Sequence, residues 1–184
     1  MAKNRYVQKT LKGCSLHCMS NMFNYPFVGF LTDKTGELNQ MQENQILQII
    51  YPEIQLRPMA YKNGFLTGLK WPTLSECIEW IRKQLDESRF AGLMLTLNNN
   101  GVLHSVNLYV SNDSVMISDP LHTGTETING HANAVKNYLM NRYKAIHRIS
   151  AYCKMTSSKD EELIIFDKNG FQHLYAKEGR AVFN

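Results

Sequence analysis

Cys14, His104 and Asp119 are the residues whose types and spacing could do nucleophilic chemistry. Cys14 follows Gly13 and directly precedes a predicted helix. Its sulfur would then lie near first-turn N–H groups, whose partial positive charge favours the reactive thiolate. His104 and Asp119 are equidistant from the point between Ser111 and Asn112. A tight turn there would set them directly opposite each other on an antiparallel pair; a turn at Asn112-Asp113 would make them offset neighbours. Either way one hairpin brings an imidazole within reach of a carboxylate, which fixes its tautomer and stabilises its charged form. Gln8, six positions before Cys14, is a fourth candidate: its amide could donate to an oxyanion together with the Cys14 N–H.

The elements that must position these groups follow from the pattern. Ser15 to Asn24 reads as a helix stopped by Tyr25-Pro26, and Glu37 to Ile50 as a second, with Leu38, Met41, Ile46, Leu47 and Ile50 as its apolar stripe. Glu53 to Lys70 carries Pro58, Gly64 and Gly68 and reads as an irregular stretch suited to a binding loop. Thr73 and Glu76 have the capping-box spacing for a third helix running to about Glu87, with Leu74, Ile78, Ile81 and Leu85 as its stripe. Strands are expected at Ala91–Leu97, Leu103–Val110, Ser114–Ser118 and Ala145–Cys153, and a helix at Asn129–Tyr143. Glu162–Asp167 and Phe171–Ala176 flank Lys-Asn-Gly and predict a C-terminal hairpin, at about 160–178. Helices first and strands second predict an α+β domain with an antiparallel sheet.

The first block, Gln8-x5-Cys14 running into CSLHCMSNMF, resembles the nucleophile segment of C39-like (bacteriocin-processing type) papain-fold cysteine peptidases. The second, HSVNLYVSNDSVMISDP from His104 to Pro120, is similar to that family's histidine strand and closing Asp-Pro. Together they cover about a fifth of the chain. Ser15 stands where the family usually has Gly, and Gly13 where Asp is common. The resemblance implies a single papain-like domain over 1–184, with the hairpin as an extension. It assigns Cys14 as nucleophile, His104 as general base and acid, Asp119 as orienting carboxylate and Gln8 as oxyanion donor. The activity implied is hydrolysis of peptide bonds through a thioester, on a protein or peptide substrate, with no cofactor and no metal. Papain-fold effectors that deamidate protein glutamines are similar too, and the same acyl chemistry serves a side-chain amide. A non-catalytic papain-fold binding or structural module is the reading from a different class.

Composition bounds the rest. The 184 residues suit one domain with a sizeable core, and 43% hydrophobic with 20% charged residues is ordinary for a globular chain. The formal charge of +4 comes from scattered basic residues, without the stripe that nucleic-acid binding requires. No apolar h-region follows the basic N-terminus, and the longest apolar stretch, Phe90–Leu97, is about half a bilayer span. A cytoplasmic protein, or one delivered without a signal peptide, is therefore expected. Four cysteines at 14, 18, 77 and 153 suit free thiols in a reducing compartment rather than a disulfide framework. Cys14, His17 and Cys18 lack the fourth ligand that structural zinc needs, so Cys18 is expected to be a packed thiol. His122, His131, His147 and His173 show no partner pattern, and Trp80 and Trp71 are expected to pack the third helix.

Overall fold

A computed structural model of the chain describes residues 4–10, 12–32, 35, 37–58, 60–62, 69–70, 73–86, 91–111, 114–123, 125–128, 132–154 and 163–164. The elements are α1 (Cys14–Phe23), a 3-10 turn (Phe27–Phe30), α2 (Gln40–Ile50), β1 (Ile54–Pro58), β2 (Ala60–Lys62), β3 (Leu69–Lys70), α3 (Leu74–Asp86), β4 (Ala91–Asn99), β5 (Val102–Ser111), β6 (Ser114–Ser118), β7 (Thr125–Ile128), α4 (Ala132–Met140), β8 (Ala145–Lys154) and β9 (Leu163–Ile164). The domain is mixed α+β. Its main sheet has the order β1-β8-β4-β5-β6-β7 with every pairing antiparallel, and β3-β2-β9 form a small second sheet.

Two apolar clusters lie on opposite faces of the main sheet. Val106 and Leu108 of β5, Leu93 and Leu95 of β4 and Ile149 and Ala151 of β8 pack with Leu74, Ile78 and Ile81 of α3 and Val135 and Leu139 of α4. Met94 and Tyr152 face the other way, against Leu16 and Met19 of α1 and Leu47 of α2. The alternation along each strand follows from the two-residue period of the pleat. Each such side chain removed from water contributes roughly 1.5–3 kcal/mol, so the sheet is a firm platform for whatever its end carries.

The structure corrects several expectations. The stretch from Glu53 is not wholly irregular: β1 pairs with β8 at the sheet edge and buries Ile54 and Leu56. Pro58 misled the reading, although a proline is tolerated on an edge strand, where no ladder N–H is needed. The second helix starts at Gln40, because Asn39 and Gln42 form the capping box there. Met41 is consequently exposed, and Glu43 turns inward with Leu47. In α3 Thr73 accepts from the Glu76 N–H at 3.1 Å as expected, but its hydroxyl bonds the Glu76 carboxylate. Cys77 joins the inward stripe while Leu85 stays 40% exposed. The last helix ends at Met140 rather than at Tyr143, which frees Tyr143 for another role. Strand β7 was not foreseen. Trp80 is buried as expected, and Trp71, His131, His173 and most of the C-terminal hairpin lie outside the described residues. Of that hairpin Leu163–Ile164 are described, paired with β2. Among the described residues no helix is long and apolar enough to cross a membrane.

Candidate active site

Gly13 sets the position of the thiol. Its φ of 72° lies in the left-handed region, and a Cβ there would come within 2.6 Å of Leu31 Cδ1, so the turn into α1 requires glycine. The imidazole of His17, one turn on, fixes the same turn through a 2.8 Å contact of Nδ1 with the Gly13 carbonyl. No side chain caps α1 and no acidic residue occupies its first turn. The partial positive charge of that turn therefore acts on Cys14 without competition.

His104 comes from β5 and Asp119 from the residue just past β6. Their strands pair Ser111 with Ser114, which makes the two residues offset neighbours, as in the second of the registers considered above. His104 Nε2 meets Asp119 Oδ1 at 2.7 Å, with both side chains buried. That contact occupies Nε2, and His104 lies near enough to Cys14 for each to stabilise the charged form of the other. Cys14, His104 and Asp119 thus form a continuous chain of contacts across three elements.

The surroundings decide its charge. Burial alone would lower the imidazole's affinity for a proton, yet the bonds to Asp119 and Cys14 outweigh it and raise the His104 pKa to about 9. Burial likewise pushes the Cys14 thiol up, but hydrogen bonds from His104 and Ser105 bring it below its ordinary value. Asp119 is held below the usual carboxylate range against the effect of burial by His104, Tyr143 and the Leu121 N–H. The shifts all run towards the charged forms, thiolate, imidazolium and carboxylate, each group stabilising its neighbour.

Three of these supports were not anticipated. The Tyr143 hydroxyl donates to Asp119 Oδ2 at 2.6 Å, and its ring stacks on His104 with centroids 5.9 Å apart. Ser105 adjoins the thiol, and its own carbonyl accepts from Cys18 Sγ at 3.1 Å. Asn4 clamps the Asp119 loop: its amide donates to the carbonyls of Asp119 and His122 at 3.0 Å each, and it accepts from Ser118 at 2.6 Å. Nothing in the local pattern marks Asn4 or Tyr143, since each meets Asp119 across a long chain separation.

Gln8 is buried in the arm beside this loop. Its N–H donates to the Pro120 carbonyl at 2.6 Å and its Nε2 to the Lys12 carbonyl at 3.3 Å, while Oε1 has no hydrogen-bond partner. The amide is therefore held two residues from Cys14 with one Nε2 N–H unassigned. Cys18 is a fully buried packed thiol, its pKa raised well above the ordinary value first by burial, and all four cysteines are free. His122 reaches only to 4.0 Å from Asp119 and is 60% exposed. Among the described residues no group of three or more His, Cys, Asp or Glu is placed to hold a metal ion.

Cys14 opens on a cleft of about 570 Å³ bounded by Ser15, Leu38, Glu43, Leu103 and Arg148. Its size suits a short peptide segment or a side chain with its flanking backbone. No protein-family model matches the chain, and no curated protein does.

Proposed function

We propose that this protein is a papain-like thiol hydrolase of the C39-like kind, hydrolysing peptide bonds through Cys14, His104 and Asp119. The observation that carries the reading is the contact chain itself: thiol to imidazole, and imidazole to a buried carboxylate at 2.7 Å, at the edge of a cleft. A helix presenting the nucleophile against an antiparallel sheet that presents His and Asp is also the arrangement such a fold requires.

The chemistry follows from the charge state. The Cys14 thiolate attacks the substrate carbonyl carbon, forming a C–S bond and a tetrahedral oxyanion. The Cys14 N–H, with Gln8 Nε2 as second donor, faces the developing charge. Collapse breaks the C–N bond, and His104 Nδ1 gives its proton to the leaving amine. Neutral His104 then takes a proton from water as its oxygen attacks the thioester carbon. The C–S bond breaks, the acid product leaves, and the thiolate–imidazolium pair is restored. Asp119 keeps its charge throughout and stabilises the imidazolium.

Alkylation by iodoacetamide, followed by intact mass at several pH values, tests the pair. One thiol should react rapidly below pH ~7, against about 8.5 for an ordinary cysteine, vanish in Cys14→Ala and slow in His104→Ala. A mixed peptide library digested by wild type and by Cys14→Ala then reads cleavage, and ammonia release from uncleaved substrate would replace peptidase with deamidase. Ordinary reactivity of Cys14, unchanged in His104→Ala, would sink the catalytic reading in favour of a binding module.

A further inference from the structure

The two oxygens of the Asp119 carboxylate are divided between different partners. Oδ1 accepts from His104 Nε2 at 2.7 Å and from the Leu121 N–H at 3.0 Å, while Oδ2 accepts from the Tyr143 hydroxyl at 2.6 Å. The residue is 2% exposed, so bulk water is not at hand to replace a lost donor. The Leu121 bond reaches only two residues along the chain and holds one oxygen. Asn4 acts on the backbone instead, bonding the Asp119 carbonyl and not the carboxylate. An aspartate turns freely about its last side-chain bond, and a donor on the second oxygen removes that freedom.

That donor is presented from a fixed backbone. Beyond the end of α4 the Tyr143 N–H still donates to the Leu139 carbonyl at 2.8 Å, and the Lys144 N–H donates to the Asn98 carbonyl of β4 at 3.0 Å. The Tyr143 ring is buried in the core shared by α3, α4 and the sheet, and lies at 25° to the His104 ring. Packing alone would be met by phenylalanine, so the hydroxyl is the part that serves the carboxylate. Burial and then Asp119 push the Tyr143 pKa up, which keeps it a neutral donor.

We propose that Tyr143 is a positioning residue of the hydrolytic site: its hydroxyl fixes the second oxygen of Asp119, so that the first stays aimed at His104. The proposal rests on the thiol-hydrolase reading and adds a residue to its machinery. A competing partner for Oδ2 is close by, since His122 Nε2 lies 4.0 Å away on a side chain that is 60% exposed. Without the hydroxyl, Oδ2 is a buried charged acceptor with no donor, the costly case. The carboxylate then turns towards His122 or solvent and draws Oδ1 off Nε2. Two effects oppose each other. Losing a donor leaves more negative charge to hold the imidazolium, and losing alignment weakens the bond that does the holding. Alignment wins: against burial, the direct bond to Asp119 is the largest cause raising the His104 pKa, ahead of the attraction between the charges. The other titratable groups that bear on this cluster are Cys14 and Cys18 of α1, and Tyr138 and Arg142 at and beyond the end of α4. Phenylalanine at 143 leaves all four in place.

The test is Tyr143→Phe in the full chain, with Ile78→Val of α3 as a variant that loosens the same core away from the site. The His104 ring resonances are followed over pH by NMR, and Cys14 alkylation by iodoacetamide over the same range. In Tyr143→Phe the His104 midpoint is expected to fall from about 9 by about one unit. Alkylation at pH ~6.5 should slow up to about tenfold, and Ile78→Val should move neither. Should Tyr143→Phe not fold, the unsubstituted protein supplies the reading. Its Tyr143 hydroxyl proton, assigned through the Tyr143 ring, should resonate far downfield and shift when Cys14 is alkylated, because the thiolate and imidazolium charges change together. A His104 midpoint unchanged or raised in Tyr143→Phe, an equal fall in Ile78→Val, or a hydroxyl proton indifferent to Cys14 alkylation would each overturn the positioning role. Ordinary Cys14 reactivity that His104→Ala leaves unchanged would instead remove the hydrolase reading and the role with it. The two failures are told apart because the His104 midpoint is read without reference to thiol reactivity.

Discussion

Replacing Asp119 with Asn keeps the shape of the site and removes one charge from it. His104 owes a pKa of about 9, against 6.5 for an ordinary histidine, first to its hydrogen bond with this carboxylate and then to Cys14, both acting against burial. Without the carboxylate the value should fall towards 6.5. At about 1.4 kcal/mol per pKa unit, the protonated imidazole then loses roughly 3 kcal/mol of support. The thiolate loses its counter-ion with it, so iodoacetamide alkylation of Cys14 at pH ~6.5 should slow at least about tenfold. The His104 ring resonances, followed by NMR over pH, give the shift directly. Unfolding by urea supplies a second reading with a defined sign. A folded pKa above the unfolded one stabilises fully below pH 6.5, and that stabilisation is lost as pH rises through about 9. Asp119→Asn should therefore flatten the decline in stability between those values. A His104 midpoint that stays near 9 in Asp119→Asn, with alkylation unchanged, would refute the reasoning.

Other perturbations act on separate parts of the site. Gly13→Ala places a Cβ at φ 72° and against Leu31 Cδ1; a loss of about 1–3 kcal/mol in urea unfolding is expected, with slower Cys14 alkylation because the helix start shifts. Ser105→Ala removes one of the hydrogen bonds that hold the thiol down, and the pH midpoint of Cys14 alkylation should rise with the fold intact. Tyr143→Phe keeps the ring on His104 and loses the 2.6 Å bond to Asp119; about 1.5–3 kcal/mol of stability should go, and far-UV circular dichroism should be unchanged. Arg148→Ala strands the buried Glu43 carboxylate, and a loss of about 3–5 kcal/mol by chemical denaturation is expected, well beyond that of Glu43→Met/Arg148→Met.

How much of this was legible beforehand depends on chain separation. The helix after Cys14, the His104–Asp119 hairpin and strands β4, β5, β6 and β8 were readable because each is encoded by local periodicity or by a short turn. The start of α2 was missed because its polar capping box lay inside an expected apolar stripe. Strand β1 was missed because Pro58 reads as a breaker when the edge position is unknown. Helix α4 was overextended, and that error hid Tyr143. Asn4, Tyr143 and the Glu43–Arg148 pair meet their partners across separations of 115, 24 and 105 positions.

The sequence by itself determined that a thiol would stand at a helix start after a glycine, and that one hairpin would hold an imidazole beside a carboxylate. Those are local facts, set by φ, by turn length and by the two-residue period of a strand. Only the tertiary structure decided that helix and hairpin meet, with burial and hydrogen bonds setting the charge on each group. It also decided, through one extra residue in β8, that Ile146 joins the core while Arg148 keeps the opposite face beside Glu43. Long-range packing fixes such choices, because the free energy that selects them comes from surfaces and charges that are neighbours only after the sheet has formed.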